Sequence, residues 1–353
     1  MAMAELAAVQ THFSEQVAAC HDLGSPFTAT VLETLRDMLP ARRGVAARVV
    51  DWSGDPKADA LALRAAAGLH ALALTAQSPA LAQLYDARDT RQLAAAVDEA
   101  LVSHAGVLNA FLDHPPQTNE VGRSAILAGG FLTVAAETGL PLHLREIGAS
   151  AGLNLLWDRW SYRLGDLGWG QPDAPVFLRP TWIGPSPPDA KARVASRRGC
   201  DLKPVDLFDE AACLRLRAYV WTDQPERLAR IDAAIGEARR TVIAVDAAPA
   251  DQWFEEQIDT PVPPHGLTDG PAVRVLYHSI FWQYVEPAGQ QALLRLITQA
   301  GDGATPQAPF AWLRMEPSAD RRVAELRLTL WPGGHDRLLA RTHYHGTWID
   351  WCG

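Results

Sequence analysis

Cysteines, basic clusters and long apolar runs are all scarce in this chain, and each scarcity removes a class of protein. The four cysteines (Cys20, Cys200, Cys213 and Cys352) are scattered through 353 residues with no CxxC spacing. Neither a disulfide framework nor a structural zinc site is expected from them. Lys and Arg form no stripe, no five like charges follow one another, and the net charge is -9. That pattern argues against a broad nucleic-acid surface or an anionic-membrane partner. No apolar run approaches the length of a membrane span, since the Ala/Leu-rich stretch 60–74 is broken by Arg64 and His70. The first twenty residues lack a basic region followed by an apolar core, so no signal peptide is expected. The sequence reads as soluble and cytoplasmic.

What is present is an ordinary globular composition, 48% apolar and 21% charged, in a chain comfortable for two domains. The first part, 1–116, predicts an α-helical domain. Apolar residues recur at three-to-four spacing over 3–20, 26–39 and 92–112, and Asp55-Pro56 resembles a capping Asp followed by Pro at the first helical position. The remainder, 117–353, alternates short apolar strands with helices. Strands are expected at 142–147, 194–201, 241–245, 273–278 and 310–315, with helices at 124–137, 151–160, 210–239 (in two pieces) and 290–299. An irregular insertion occupies 161–192, a Pro-rich loop 247–270, and a closing antiparallel hairpin 326–348 turns at Pro332-Gly-Gly334. The fold class expected is α/β, a mostly parallel sheet with right-handed crossovers, an antiparallel C-terminal edge hairpin and an N-terminal helical domain. Ligands bind such sheets at the carboxyl ends of the strands where the order reverses.

The stretch Leu142-His-Leu-Arg-Glu-Ile-Gly-Ala-Ser-Ala-Gly-Leu-Asn154 supports two readings. As Gly148-x-Ser150-x-Gly152 it matches an elbow presenting a nucleophilic serine, with Asp246, His278 and His335 as downstream partners. As Glu146-x-Gly148-x-Ser150-x-Gly152 it matches a turn that brings backbone N–H groups to a nucleotide cofactor. An elbow of the first kind sits after several strands have formed, whereas this turn follows the first strand, and no HGGG-like segment precedes it. The cofactor reading is therefore preferred. An acid at a strand end then accepts both ribose hydroxyl protons.

At these residues the chain resembles class I S-adenosylmethionine-dependent methyltransferases, whose first motif is an acid, a hydrophobic residue and Gly-x-Gly-x-Gly. Glu146, Gly148 and Gly152 match, and Ser150 replaces the middle glycine. The resemblance covers roughly 120–353 and implies a Rossmann-like domain. It also implies Asp201, in Gly199-Cys-Asp-Leu-Lys-Pro204, as the ribose acid and Asp246 as the acid near adenine. A closer likeness is to a bacterial family described as domain of unknown function 2332. It is carried by Gln117-Thr-Asn-Glu-Val-Gly-Arg123, Glu146–Asn154, Arg198-Gly-Cys-Asp-Leu-Lys-Pro204 and Val220-Trp-Thr-Asp-Gln-Pro-Glu-Arg227. That likeness implies fold and layout and supplies no activity.

Asn119, Glu120 and Arg123 are candidate substrate or cofactor contacts, with a structural helix cap by Thr118 as the alternative. His278 is a candidate general base and Glu316 a similar one; a satisfied strand-end histidine and a cap are the plainer readings. His343 and His345 alternate on one expected strand and, with His335, lack a carboxylate or cysteine at ligand spacing, so no metal is expected. Most of the 12 tryptophans are expected in cores or interfaces. Three functions remain in order: methyl transfer to a small molecule, a non-catalytic ligand-binding member of the same fold, and a serine hydrolase using Ser150.

Overall fold

The computed structural model describes residues 2–241, 243–259 and 270–353, and the chain divides into two compact units. The first unit is Met1–Thr118 with Phe208–Asp232. No strand precedes Leu142 among the described residues, and the helices bury one continuous apolar cluster including Phe13, Leu32, Leu39, Leu61, Leu69 and Leu72. The segment 208–232 joins this unit through polar closures that helical periodicity does not reveal. The Asp223 carboxylate accepts from Phe27 N–H at 2.9 Å and from the Thr28 hydroxyl at 3.1 Å, and Ser25 Oγ also donates to it. It thereby caps helix Pro26–Met38 from far along the chain. Buried His70 bonds the Ala218 carbonyl through Nδ1 at 3.0 Å. The Asp55 carboxylate bonds Lys57 and Ala58 N–H in a turn, and the helix itself starts later, at Leu61.

The second unit is Asn119–Leu207 with Ala233–Gly353. Its strands are β1 (Leu142–Ile147), β2 (Ser161–Leu164), β3 (Leu167–Gly170), β4 (Phe177–Leu178), β5 (Thr181–Ile183), β6 (Val194–Asp201), β7 (Val245–Ala247), β8 (Val273–Ser279), β9 (Phe310–Pro317), β10 (Ala324–Trp331), β11 (His335–Thr342) and β12 (Trp348–Trp351). Among the described residues nine of them form one sheet, in the order β5-β12-β11-β10-β9-β8-β1-β6-β7. The run β9-β8-β1-β6-β7 is parallel, β9 to β12 is an antiparallel meander, and β5 adds a parallel edge.

Side-chain alternation assigns the two faces. Glu146 on β1 and Tyr277 on β8 lie in register and face helix Ser124–Thr138, whose Phe131 meets Tyr277 edge-on. That helix carries Gly130, where a Cβ would come within 2.5 Å of the Leu313 side chain, so it lies close to the sheet there. On the other face, Ile147, Cys200, Leu276 and Phe310 pack with Trp253 and Phe254 of helix Ala250–Asp259 and with Leu293 and Ile297 of helix Pro287–Asp302. The chain leaves β1 for β6 and β7 on one side, then returns to β8 on the other. The strand order thus reverses between β1 and β8.

Several expectations change. The run after the turn is a 3-10 helix, Leu153–Arg159, because Gly152 is left-handed and Leu155 N–H bonds its carbonyl. Where a loop was expected over 247–270, Ala250–Asp259 is helical, with Trp253, Phe254 and Gln257 buried on one face; 260–269 lie outside the described residues. The strand expected at 241–245 is confined to β7, and Val242 also lies outside them. The insertion forms a small β3-β2-β4 sheet and supplies β5. The hairpin is internal to the sheet, since β12 and β5 lie beyond it; a turn at Gly346 splits its expected second strand. His343 and His345 stand in that turn, and His345 N–H donates to His343 Nδ1.

Candidate functional site

The carboxyl end of β1 carries the candidate turn, and protein atoms brace it closely. Gly148, Ser150 and Gly152 have φ of 69, 55 and 73°. Ala149 N–H bonds the Cys200 carbonyl at 2.9 Å, tying the turn to β6. The Asp201 carboxylate accepts from Ser150 N–H at 2.9 Å and from Lys203 N–H at 3.0 Å. Asn119 Oδ1 accepts from Leu153 N–H at 2.9 Å, so a residue two positions before the 3-10 turn Val121–Arg123 closes the far side. A Cβ on Gly148 would meet the Phe281 ring at 2.2 Å, and one on Gly152 would meet Val245 at 2.8 Å. Packing within the protein therefore already demands both glycines.

Ser150 differs from those glycines. It has a Cβ in the left-handed region, which costs roughly 1–2 kcal/mol. Its Oγ is buried with no hydrogen-bond partner among the described residues. A buried hydroxyl without a partner is costly as well, by about 1–3 kcal/mol. Strain and an open hydrogen-bonding position thus coincide at one side chain.

Beneath the turn, Glu146 is 2% exposed and accepts from the Tyr277 hydroxyl at 3.1 Å. Burial pushes its carboxyl up to about 8, against the Tyr277 hydrogen bond, which acts the other way. Near neutral pH this group holds a proton and is a donor as well as an acceptor. The Arg123 guanidinium lies within electrostatic reach of it and donates to the carbonyls of Tyr344 at 3.1 Å and Ser279 at 3.2 Å. Glu120, not Thr118, serves as the cap here, accepting from Gly122 N–H at 2.8 Å. Buried Ser124 and Asn154 pair at 2.7 Å beside it.

His278 and Glu316 face the opposite side of the sheet and touch each other. His278 Nδ1 lies 2.6 Å from Glu316 Oε1, which also accepts from Phe281 and Trp282 N–H. Trp312 Nε1, a donor only, reaches His278 Nε2 at 3.1 Å. That assigns the ring hydrogen to Nδ1. Glu316 Oε2 is buried without a partner among the described residues.

Asp246 is bound elsewhere. Arg198 grips its two oxygens at 2.6 and 2.9 Å, and Trp253 Nε1 donates at 2.6 Å. The Arg198 hydrogen bond holds its carboxyl below the ordinary value. Of the residues singled out in the sequence, Glu146, Gly148, Ser150, Gly152, Asp201 and Asn119 meet at the turn, with Glu120 and Arg123 at the neighbouring 3-10 turn. His278 and Glu316 form a separate pair, and Asp246 braces β7 against β6. Tyr277, Asn154 and Trp312 complete these clusters. Tyr277 shares the alternation of β8, while nothing in the sequence marks Trp312 as the partner of His278.

No curated protein and no solved structure matches this chain. A family model described as an uncharacterized protein conserved in bacteria (DUF2332) matches residues 10–351. With nearly its whole length matched, the chain belongs to that bacterial family.

Proposed function

We propose that the second unit binds S-adenosylmethionine at the carboxyl end of β1 and transfers its methyl group to a small molecule. The observation carrying this reading is the position of the turn. It follows the central strand at the reversal between β1 and β8, in the β7-β6-β1-β8-β9 order of a doubly wound sheet. The fit of the residues is partial. Each Asp201 oxygen accepts one backbone N–H and keeps a lone pair for a ribose hydroxyl. Ser150 Oγ offers an unfilled buried hydrogen bond at the same turn. Asp246, held by Arg198 and Trp253, does not fit the adenine role.

When bound, the cofactor would supply an electrophilic methyl on a sulfonium. The protein's part is alignment and exclusion of water, the main sources of rate in such a displacement. Glu146 and Arg123 would orient polar groups of the ligands, and Asn119 would keep the turn in place. A calorimetric titration with S-adenosylmethionine and S-adenosylhomocysteine tests the reading. One-site binding is expected, weakened about tenfold or more in Asp201→Ala. Absence of heat at millimolar ligand overturns it, and binding without turnover supports the non-catalytic alternative.

One observation favours a second reading: Ser150 combines a left-handed backbone with an unpartnered Oγ, as an acyl-transfer nucleophile would. Against it, His278 Nε2, the atom a general base would use, already accepts from Trp312. Rapid labelling of Ser150 by a fluorophosphonate would install this reading in place of the first.

A further inference from the structure

The face of β1 opposite Glu146 carries a buried guanidinium, Arg145, among further basic side chains. His143 and Arg145 are each 5% exposed there. In register beside them stand Ser196 and Arg198 on β6 and Arg274 on β8. His143 Nδ1 lies 2.9 Å from Ser196 Oγ, and Arg145 Nη1 donates to the same oxygen at 3.2 Å and to the Leu144 carbonyl at 2.9 Å. Arg145 Nε is buried with no partner, and no carboxylate pairs with this guanidinium among the described residues. Asp246 lies within electrostatic reach, but its oxygens serve Arg198 and Trp253. Glu256 acts on Arg198 as well.

The titration behaviour agrees with that geometry. Arg145 is lowered to about 10, by burial first and then by Arg274 and Arg198. His143 is lowered to about 4, by burial and then by Arg145 and Arg274. Burying a guanidinium without a counter-charge costs several kcal/mol, and an anion brought to it would offset that cost. A guanidinium presents a fork of donors matched to two oxygens of one planar or tetrahedral anion. The cluster reaches solvent at Arg198, which is exposed, and at Arg274, which is partly so.

We infer that Arg145, Arg274 and His143 form a binding site for a small oxyanion, the phosphate or carboxylate group of a small molecule. The site is separate from the Gly148–Gly152 turn and does not depend on a methyl-transfer reading of that turn.

The test uses the full chain with sodium phosphate and sodium acetate in calorimetry and thermal melting, against chloride at equal ionic strength. One-site binding of at least one anion is expected by about 20 mM, with a matching rise in melting temperature. Phosphate alone identifies a phosphate group and acetate alone a carboxylate. Arg274→Gln, at a partly exposed position, should weaken binding about tenfold or more. Arg145→Met should abolish binding while melting no lower than the ligand-free wild type, because it removes an unpaired buried charge. Absence of one-site binding to both anions in the wild type overturns the site, as does undiminished binding in Arg274→Gln. If Arg145→Met does not fold, Arg274→Gln still decides.

Discussion

Two buried arginines, one in each unit, are handled in opposite ways. Arg64, in the helical unit, is 7% exposed and donates to the Asp59 carbonyl at 2.6 Å and the Leu112 carbonyl at 2.9 Å. Its Nη2 lies 3.8 Å from the Asp59 carboxylate, and its guanidinium sits over the Trp52 ring. Arg145, in the sheet unit, is as deeply buried yet has an unbonded Nε and no paired carboxylate among the described residues. The first arginine closes its fold by tying helix ends together. The second leaves hydrogen-bonding capacity unused. The same contrast separates Asp223, spent on capping a helix, from Ser150 and Glu316, whose buried oxygens stand open. Arg64 and Asp223 complete the helical unit, although the buried Tyr85 and Tyr219 hydroxyls there also lack partners among the described residues, while Arg145 Nε, Ser150 Oγ and Glu316 Oε2 keep hydrogen-bonding positions open in the sheet unit.

Substitutions should break this contrast unequally. Arg64→Met strands the Asp59 and Leu112 carbonyls and should cost about 3 kcal/mol in urea denaturation. Arg145→Met, in the same measurement, should cost nothing or stabilise. A comparable loss for both would erase the distinction. Glu146→Gln should act through pH. The unfolded carboxyl ionises near 4.5, whereas the native one keeps its proton up to about 8. Wild-type stability should therefore fall as pH rises from about 5 to 8 and level off above, by a few kcal/mol. Glu146→Gln should flatten that slope, and an unchanged slope would show that Glu146 ionises normally. Asp223→Ala should cost about 2 kcal/mol by uncapping helix Pro26–Met38, checked by the denaturation midpoint. Ser150→Gly should give a net gain of about 1 kcal/mol or more, because relief of the left-handed backbone and loss of the unpartnered hydroxyl outweigh the unfolded-state entropy of glycine.

The sequence revealed what depends on periodicity and short-range pattern. The helical first part, β1, β6, β8 and β9, and the turn at Gly148 all carry local signals, because burial on one face imposes its spacing on the residues. Helix Ala250–Asp259 was hidden by prolines on both flanks, although Trp253, Phe254 and Gln257 share a face. The hairpin lost its edge position because β5, drawn from a Gly- and Pro-rich insertion, pairs with β12 at long range. At the site, residue types were legible but their engagements were not. Asp201 and Asp246 both read from the sequence as strand-end acids, yet Asp201 ends β6 and braces the turn, whereas Asp246 lies within β7 and is held by Arg198. Such partners come from register between strands distant in sequence, which no local pattern encodes.

Hydrogen–deuterium exchange with and without S-adenosylhomocysteine tests most directly whether the open polar groups around β1 belong to a ligand site. Slower exchange at Ser150, Leu153 and Lys203, whose N–H groups bond Asp201 and Asn119, is the expected result, with helices Pro26–Met38 and Leu61–Leu74 unchanged. Exchange unaltered at the turn, or protection confined to those helices, would contradict it.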